Sequence, residues 1–215
     1  MGMFLRRGPA PKLGTPIGSL AVGTVIKLNE NGSPAKFYVA KHDYESKLNR
    51  NGRTLVVRKD CYDMRAFSSS DNAFSGSSMD TWLNGPYKGL LDAEVQDAMG
   101  LTAFYYTPGN GNNTVGTLQR AIFLLSATEL GTSASTGNTE GTALSSAVCS
   151  QLAIAYRNGS AVTQWTRTPS TRYNSYVLHL NTEGGPRIHY FSDSSGSRPV
   201  FTLPASFKLT DDMLA

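Results

Sequence analysis

Two Asn-Gly steps constrain this chain more than any other feature. Asn31-Gly32 separates two β-branched and aromatic runs, GTVIKLN (23–29) and AKFYVAKH (35–42), and Asn51-Gly52 introduces a third, RTLVVRK (53–59). An Asn-Gly pair takes the left-handed backbone that closes a tight hairpin, and its twist matches that of the strands it joins. The first quarter of the chain is therefore expected to be an antiparallel meander.

Beyond residue 60 the pattern stays short-ranged. SSMDTWLNG (77–85) has the form of a brief helix, with Ser78 as cap, Trp82 and Leu83 turned inward and Gly85-Pro86 as the stop. Leu91, Val95 and Met99 fall four apart ahead of Gly100, which marks a second short helical stretch. TAFYYTP (102–108) reads as a strand and GNGNNTVGT (109–117) as an exposed loop. RAIFLLSATELG (120–131) reads as a buried strand, followed by Ser126 and Glu129 at capping-box spacing and Gly131 closing the turn. TSASTGNTEG (132–141) is polar loop, and its Asn-Thr-Glu-Gly end is suited to cap the next helix. Leu144, Val148, Leu152 and Tyr156 place that helix at about 141–156, with Cys149 beside its apolar stripe. The last third (AVTQWTRT, SYVLHLN, RIHYFS and RPVFTLP) is a series of short strands.

The expected class is α+β: a single domain of short, mostly antiparallel strands, two main helices and long polar loops. Composition agrees, with 17% charged residues, 21 glycines and 215 residues in all, enough for one real core. Residues 1–16, with Pro9, Pro11 and Pro16, read as an extended proline-rich arm, and 17–215 as the globular domain. A net charge of +4 without a concentrated basic patch argues against nucleic acid. No apolar run is long enough for a signal or a membrane span. Arg6 stands where N-myristoylation needs Ser or Thr. Cys61 and Cys149 lie in no metal or redox spacing and are expected to be free, buried and reduced.

Catalytic and cofactor motifs are absent: no GxSxG, P-loop, GxGxxG, HExxH or zinc spacing. His179 and His189 could face one another across a hairpin turning at 181–187, and strand histidines of this kind are usually structural. Asp92, Glu94 and Asp97 read as a solvated helix face. Of the ten tyrosines and nine phenylalanines most should fill the core. Tyr105, Tyr106 and Tyr173, with Asn110, Asn112, Asn113 and Asn174, lie at loops and are the candidate exposed binding residues.

The order KFYVAKHDY, LVVRKDCYDMRAF, NAFSGSSMDTWLN, IFLLSATELG, NTEGTAL, QWTRTPS and GSRPVFTLP resembles the DUF6273-type domain of bacteriophage and prophage structural proteins and of bacterial surface proteins. The likeness runs from about 18 to 207 and rests on Trp82, Asn84, Glu140, Trp165, Arg167, Arg198 and Pro199. The Trp-x-Arg and Gly-x-Arg-Pro pair also resembles the core of C-type-lectin-like folds. There Trp165 would pack inside, while Arg167 and Arg198 would hold irregular loops by their five-donor forks. The resemblance implies a non-enzymatic virion protein of the tail, baseplate or fibre, made in the host cytoplasm and multimeric within a particle. It would dock on other virion proteins through residues 1–16 and turn its loops toward a host surface glycan or protein, with no cofactor, metal, nucleic acid or membrane insertion. A capsid decoration protein shares the class. A formylglycine-generating-enzyme-like oxidase or a bacterial adhesin is the alternative of another class, and the spacing of Cys61 and Cys149 departs from the oxidase pattern.

Overall fold

A computed structural model describes residues 14–132 and 135–214. Of the expected arm, residues 1–13 lie outside the described residues. Thr15–Pro16 form a first short strand, β1, and Ile17 is already buried core. The meander follows as β2 (Val25–Glu30), β3 (Ser33–Lys41) and β4 (Arg53–Arg58). Asn31 (φ 53°) and Gly32 (φ 73°) make the hairpin turn between β2 and β3. Inside faces alternate along β2, where Ile26 and Leu28 are buried, but β4 is buried on both faces. A single helical turn, α1 (Ser46–Asn49), fills the β3–β4 connection.

After β5 (Met64–Ala66) comes α2 (Ser78–Trp82), whose cap is Ser77 rather than Ser78: the Ser77 hydroxyl accepts the Asp80 amide at 3.0 Å. Gly85-Pro86 does not stop this helix. Proline has no amide to donate and its ring crowds the carbonyl four residues back, and the backbone widens into a π turn over Leu83–Tyr87 with Pro86 inside it. The next helix, α3 (Ala93–Met99), ends at Gly100 and buries Val95 and Met99, while Asp92, Glu94 and Asp97 are exposed.

Strands β6 (Thr102–Tyr106) and β7 (Gly116–Arg120) form a separate hairpin, and β8 (Ile122–Phe123) follows. The long helix expected over 141–156 is shorter: α4 spans Ser146–Ala153, capped by Ser145, and Tyr156 lies on the next strand, 43% exposed. The stripe overran because Tyr156 kept the four-residue step after the backbone had turned extended. Glu140, read as part of a cap, is instead fully buried five residues ahead of the Ser145 cap and bonds to Thr107 and Thr168. Among the described residues there are thus four short α-helices rather than two main ones.

The C-terminal strands are β9 (Ala155–Arg157), β10 (Ser160–Val162), β11 (Gln164–Pro169), β12 (Tyr176–Leu180), β13 (Pro186–Tyr190), β14 (Ser194–Gly196), β15 (Val200–Pro204) and β16 (Lys208–Leu209). Two five-stranded sheets result. One is antiparallel throughout, in the order β2-β3-β4-β15-β8; the other runs β13-β12-β11-β14-β5, with β11 and β14 its parallel pair. An unbroken row of rings links them: Tyr44, Phe123, Phe104, Phe74, Phe67 and Trp165, with neighbouring centroids 4.4–6.3 Å apart. Among the described residues no helix is long and apolar enough to cross a membrane.

Candidate functional site

Strand β11 is buried along its whole length, so its polar side chains must find partners inside the protein. Arg167 is fully buried. Its Nε donates to the Tyr105 carbonyl (3.0 Å), and its Nη1 donates to the Leu124 carbonyl (2.8 Å) and to Glu129 Oε2 (2.6 Å). The guanidinium also lies over the Phe104 ring, 4.7 Å from its centroid. Glu129 is in turn locked by the expected capping box: it accepts the Ser126 amide (2.9 Å), while Ser126 Oγ accepts the Glu129 amide (3.0 Å). The Tyr44 hydroxyl donates to the other Glu129 oxygen. Burial, and then the adjacent Glu129 carboxylate, hold the Tyr44 pKa far above its usual value. Burial alone would lower that of Arg167, but Glu129 outweighs it and the guanidinium is held charged.

Glu140 completes this network. It accepts the Thr107 amide and the Thr168 hydroxyl, the latter at 2.6 Å. Burial raises its pKa against the opposing pull of Arg167.

Arg198 does a parallel task at the other end of β11. Nη1 donates to the Leu152 carbonyl (2.7 Å) and to Gln164 Oε1 (3.0 Å), and Nη2 to the Lys59 carbonyl (2.6 Å). Gln164 Nε2 also donates to the carbonyls of Leu152 (2.7 Å) and Ala153 (3.2 Å), so these two open carbonyls at the end of α4 have side-chain donors. Pro199 offers its carbonyl to the Arg58 amide at 3.0 Å. Cys61 is buried close by and its thiol is pushed up to about 11, chiefly by burial. Cys149 is free as well, but only half-buried.

Trp165 is 2% exposed and donates its indole N–H to the Arg65 carbonyl at 2.9 Å. Trp82 is half-buried with the Arg65 guanidinium 3.3 Å from its ring centroid. Asn84 bridges α2 to β8, donating to the Ile122 carbonyl (2.9 Å) and accepting the Ile122 amide (3.0 Å). His179 and His189 do meet across the β12–β13 hairpin, their Nδ1 atoms 3.3 Å apart, so one must donate and the other accept. Burial, with His189 and Arg187 adding, lowers the His179 pKa to about 4.

The candidate loop residues divide into two groups. Asn110, Asn112 and Asn113 are exposed on one loop, and Tyr173 and Asn174 on another, and the structure places these loops side by side. The residue that joins them is Asn72, fully buried. Its Nδ2 donates to the carbonyls of Ser170 (3.1 Å), Tyr173 (3.3 Å) and Tyr176 (3.0 Å), and its Oδ1 accepts the Asn110 amide (2.7 Å). Asn113 adds a direct bond to the Thr171 carbonyl at 3.0 Å. Tyr173 (44% exposed) continues edge-on into Tyr176 and Tyr190 (39% exposed), making a row of rings at the margin of the second sheet. Tyr105 and Tyr106 belong elsewhere, half-buried on β6.

Asn72 and Tyr190 were missed in the sequence. Asn72 sits in a Ser/Gly/Asp-rich stretch where an amide that ties three carbonyls looks like any turn asparagine. The sequence model of DUF6273, described as a domain of unknown function, matches residues 51–205. Neither the curated proteins nor the solved structures contain a match to the chain.

Proposed function

We propose, from the premise that this chain belongs to the DUF6273 family, that it is a non-enzymatic structural protein of a bacteriophage particle. In this reading it sits at the tail, baseplate or fibre, docks through the residues ahead of β1, and turns the loop face of Asn110–Asn113 and Tyr173–Asn174 toward a host surface glycan or protein. The observation that carries the proposal is the use made of the charged side chains. Arg167, Glu129, Glu140 and Arg198 direct their bonds to backbone groups, to buried hydroxyl and amide side chains and, for Arg167 and Glu129, to one another, and Asn72 fastens two outward loops together. A frame of this kind suits presentation of a fixed surface better than turnover. The C-type-lectin-like reading of the fold belongs with this proposal and rests on Trp165, Arg167, Arg198 and Pro199.

The test is sedimentation of particles from cells that make the chain. The full chain should be found in the purified particle fraction, and a chain lacking residues 1–13 should stay folded but remain outside it. The cut is placed at 13 because Thr15–Pro16 pair with β16 and Ile17 is core. Recovery of the full chain from the soluble fraction alone would overturn the reading.

A further inference from the structure

Beside the loop face a cleft of about 450 Å3 opens between the β3–β4 connection, Tyr105 on β6, and the 139–142 segment. We propose that this cleft binds a carbohydrate of one or two rings, held by Glu45, Lys41 and Lys47 against Tyr105. The proposal deepens the host-contact reading above and rests on it only for the surface that would supply the sugar.

The size falls within the usual range for small-molecule sites, roughly 300–1,000 Å3. Two cations, Lys41 and Lys47, and two anions, Asp43 and Glu45, line it, so neither an anion nor a cation meets a wall of opposite sign. A neutral polyol uses both: each hydroxyl donates to a carboxylate and accepts from an ammonium. Tyr105, half-buried, supplies a flat apolar ring of the kind that the C–H face of a pyranose covers.

The floor is rigid. Glu45 is buried, and its Oε1 accepts the Thr142 amide (3.2 Å) and lies 3.7 Å from Lys41 Nζ. Its Oε2 makes no hydrogen bond among the described residues. Gly141, at φ +83°, lets the 139–142 segment lie on this floor: a Cβ there would come within 3.3 Å of both Glu45 Oε1 and Glu129 Oε1. The Tyr105 carbonyl is fixed from below by Arg167. Asp43 (φ 50°) and Glu45 (φ 42°) hold positive-φ backbone in the cleft wall, a conformation that costs stability and that surrounding structure must enforce. Such preorganisation favours a ligand with few contacts. The mouth is wide, so single-site affinity should be weak and many copies on one particle would multiply it.

The experiment is saturation-transfer NMR of the full chain with the methyl glycosides of glucose, galactose, mannose and N-acetylglucosamine, and with lactose and maltose. At least one should bind with a Kd of about 10 mM or tighter. Glu45→Gln, which keeps an acceptor for Thr142, and Lys47→Ala, an exposed position, should each weaken it by roughly tenfold and threefold, and Tyr173→Ala should leave it unchanged. No binding by any of these sugars overturns the proposal, as does binding that survives both cleft substitutions. Binding lost through Tyr173→Ala instead also overturns it while leaving the loop-face reading intact. Particle incorporation of Glu45→Gln, measured in parallel, separates a failure of the sugar site from a failure of the virion assignment.

Discussion

Arg198 shows how much of this molecule depends on the shape of one side chain. Lysine in its place would keep the charge but lose the planar fork that reaches three acceptors at once; the Leu152 carbonyl keeps its bond from Gln164, while the Lys59 carbonyl would be short of a donor. Arg198→Lys and Arg167→Lys are each expected to lower stability by about 1–3 kcal/mol with no ligand present, measured by denaturant unfolding. Unchanged unfolding midpoints in both would assign these arginines to some other role. His179 carries a second prediction. Its folded pKa of about 4 lies below the ordinary value of 6.5, so the unfolded chain binds the proton more readily. Stability is therefore complete above about pH 6.5 and is lost as pH falls toward 4, by about 1–2 kcal/mol. Glu140, held high by burial, works in the opposite direction. The readout is accordingly the difference between parent and His179→Gln, which should shrink or reverse between pH 7 and pH 4.5. Neither arginine's partners could be read from the chain. QWTRTP and GSRPVF mark where the arginines sit, but their acceptors come from segments 34 to 139 residues away.

At the scale of elements, what was legible depended on local rules. The Asn31-Gly32 hairpin, the Ser126–Glu129 box and the Gly100 stop are each set by residues within five positions, and the structure contains them, whereas Asn51-Gly52 only leads into β4 at the end of a long connection that holds α1. Pro86 and Tyr156 misled because the outcome was decided by packing: a π turn that keeps Tyr87 in the core, and a strand that takes Tyr156 out of its helix. Asn72 was out of reach for the same reason, since its four bonds join the 70–74 stretch to two loops 38 to 104 residues away. Asn72→Ala should cost about 2–3 kcal/mol, because buried carbonyls lose their donor. Hydrogen exchange should quicken in residues 109–113 and 170–176 and stay unchanged in the β2–β3 hairpin. Uniform acceleration across the chain would mean that Asn72 supports the core rather than the loop face.

For the molecule as a whole, the folding unit is larger than the family match. Residues 51–205 omit β2 and β3, which supply Ile26, Phe37 and Val39 to the core and cover the edge of β4. A 51–205 fragment should therefore aggregate or unfold without a cooperative transition, whereas 14–214 should melt as one unit by calorimetry. A sharp transition in the shorter fragment would show that the meander is an addition rather than half of a sheet. The longer unit also closes on itself, because Thr15 of β1 is paired with Leu209 of β16. Neighbouring strands lie only about 5 Å apart, so a linker of a few residues could join the first strand to the last, and new ends could be opened at the exposed Asn112–Asn113 tip. Such a circular permutant should keep the same core and the same β1–β16 pairing, so its melting should match that of the parent chain.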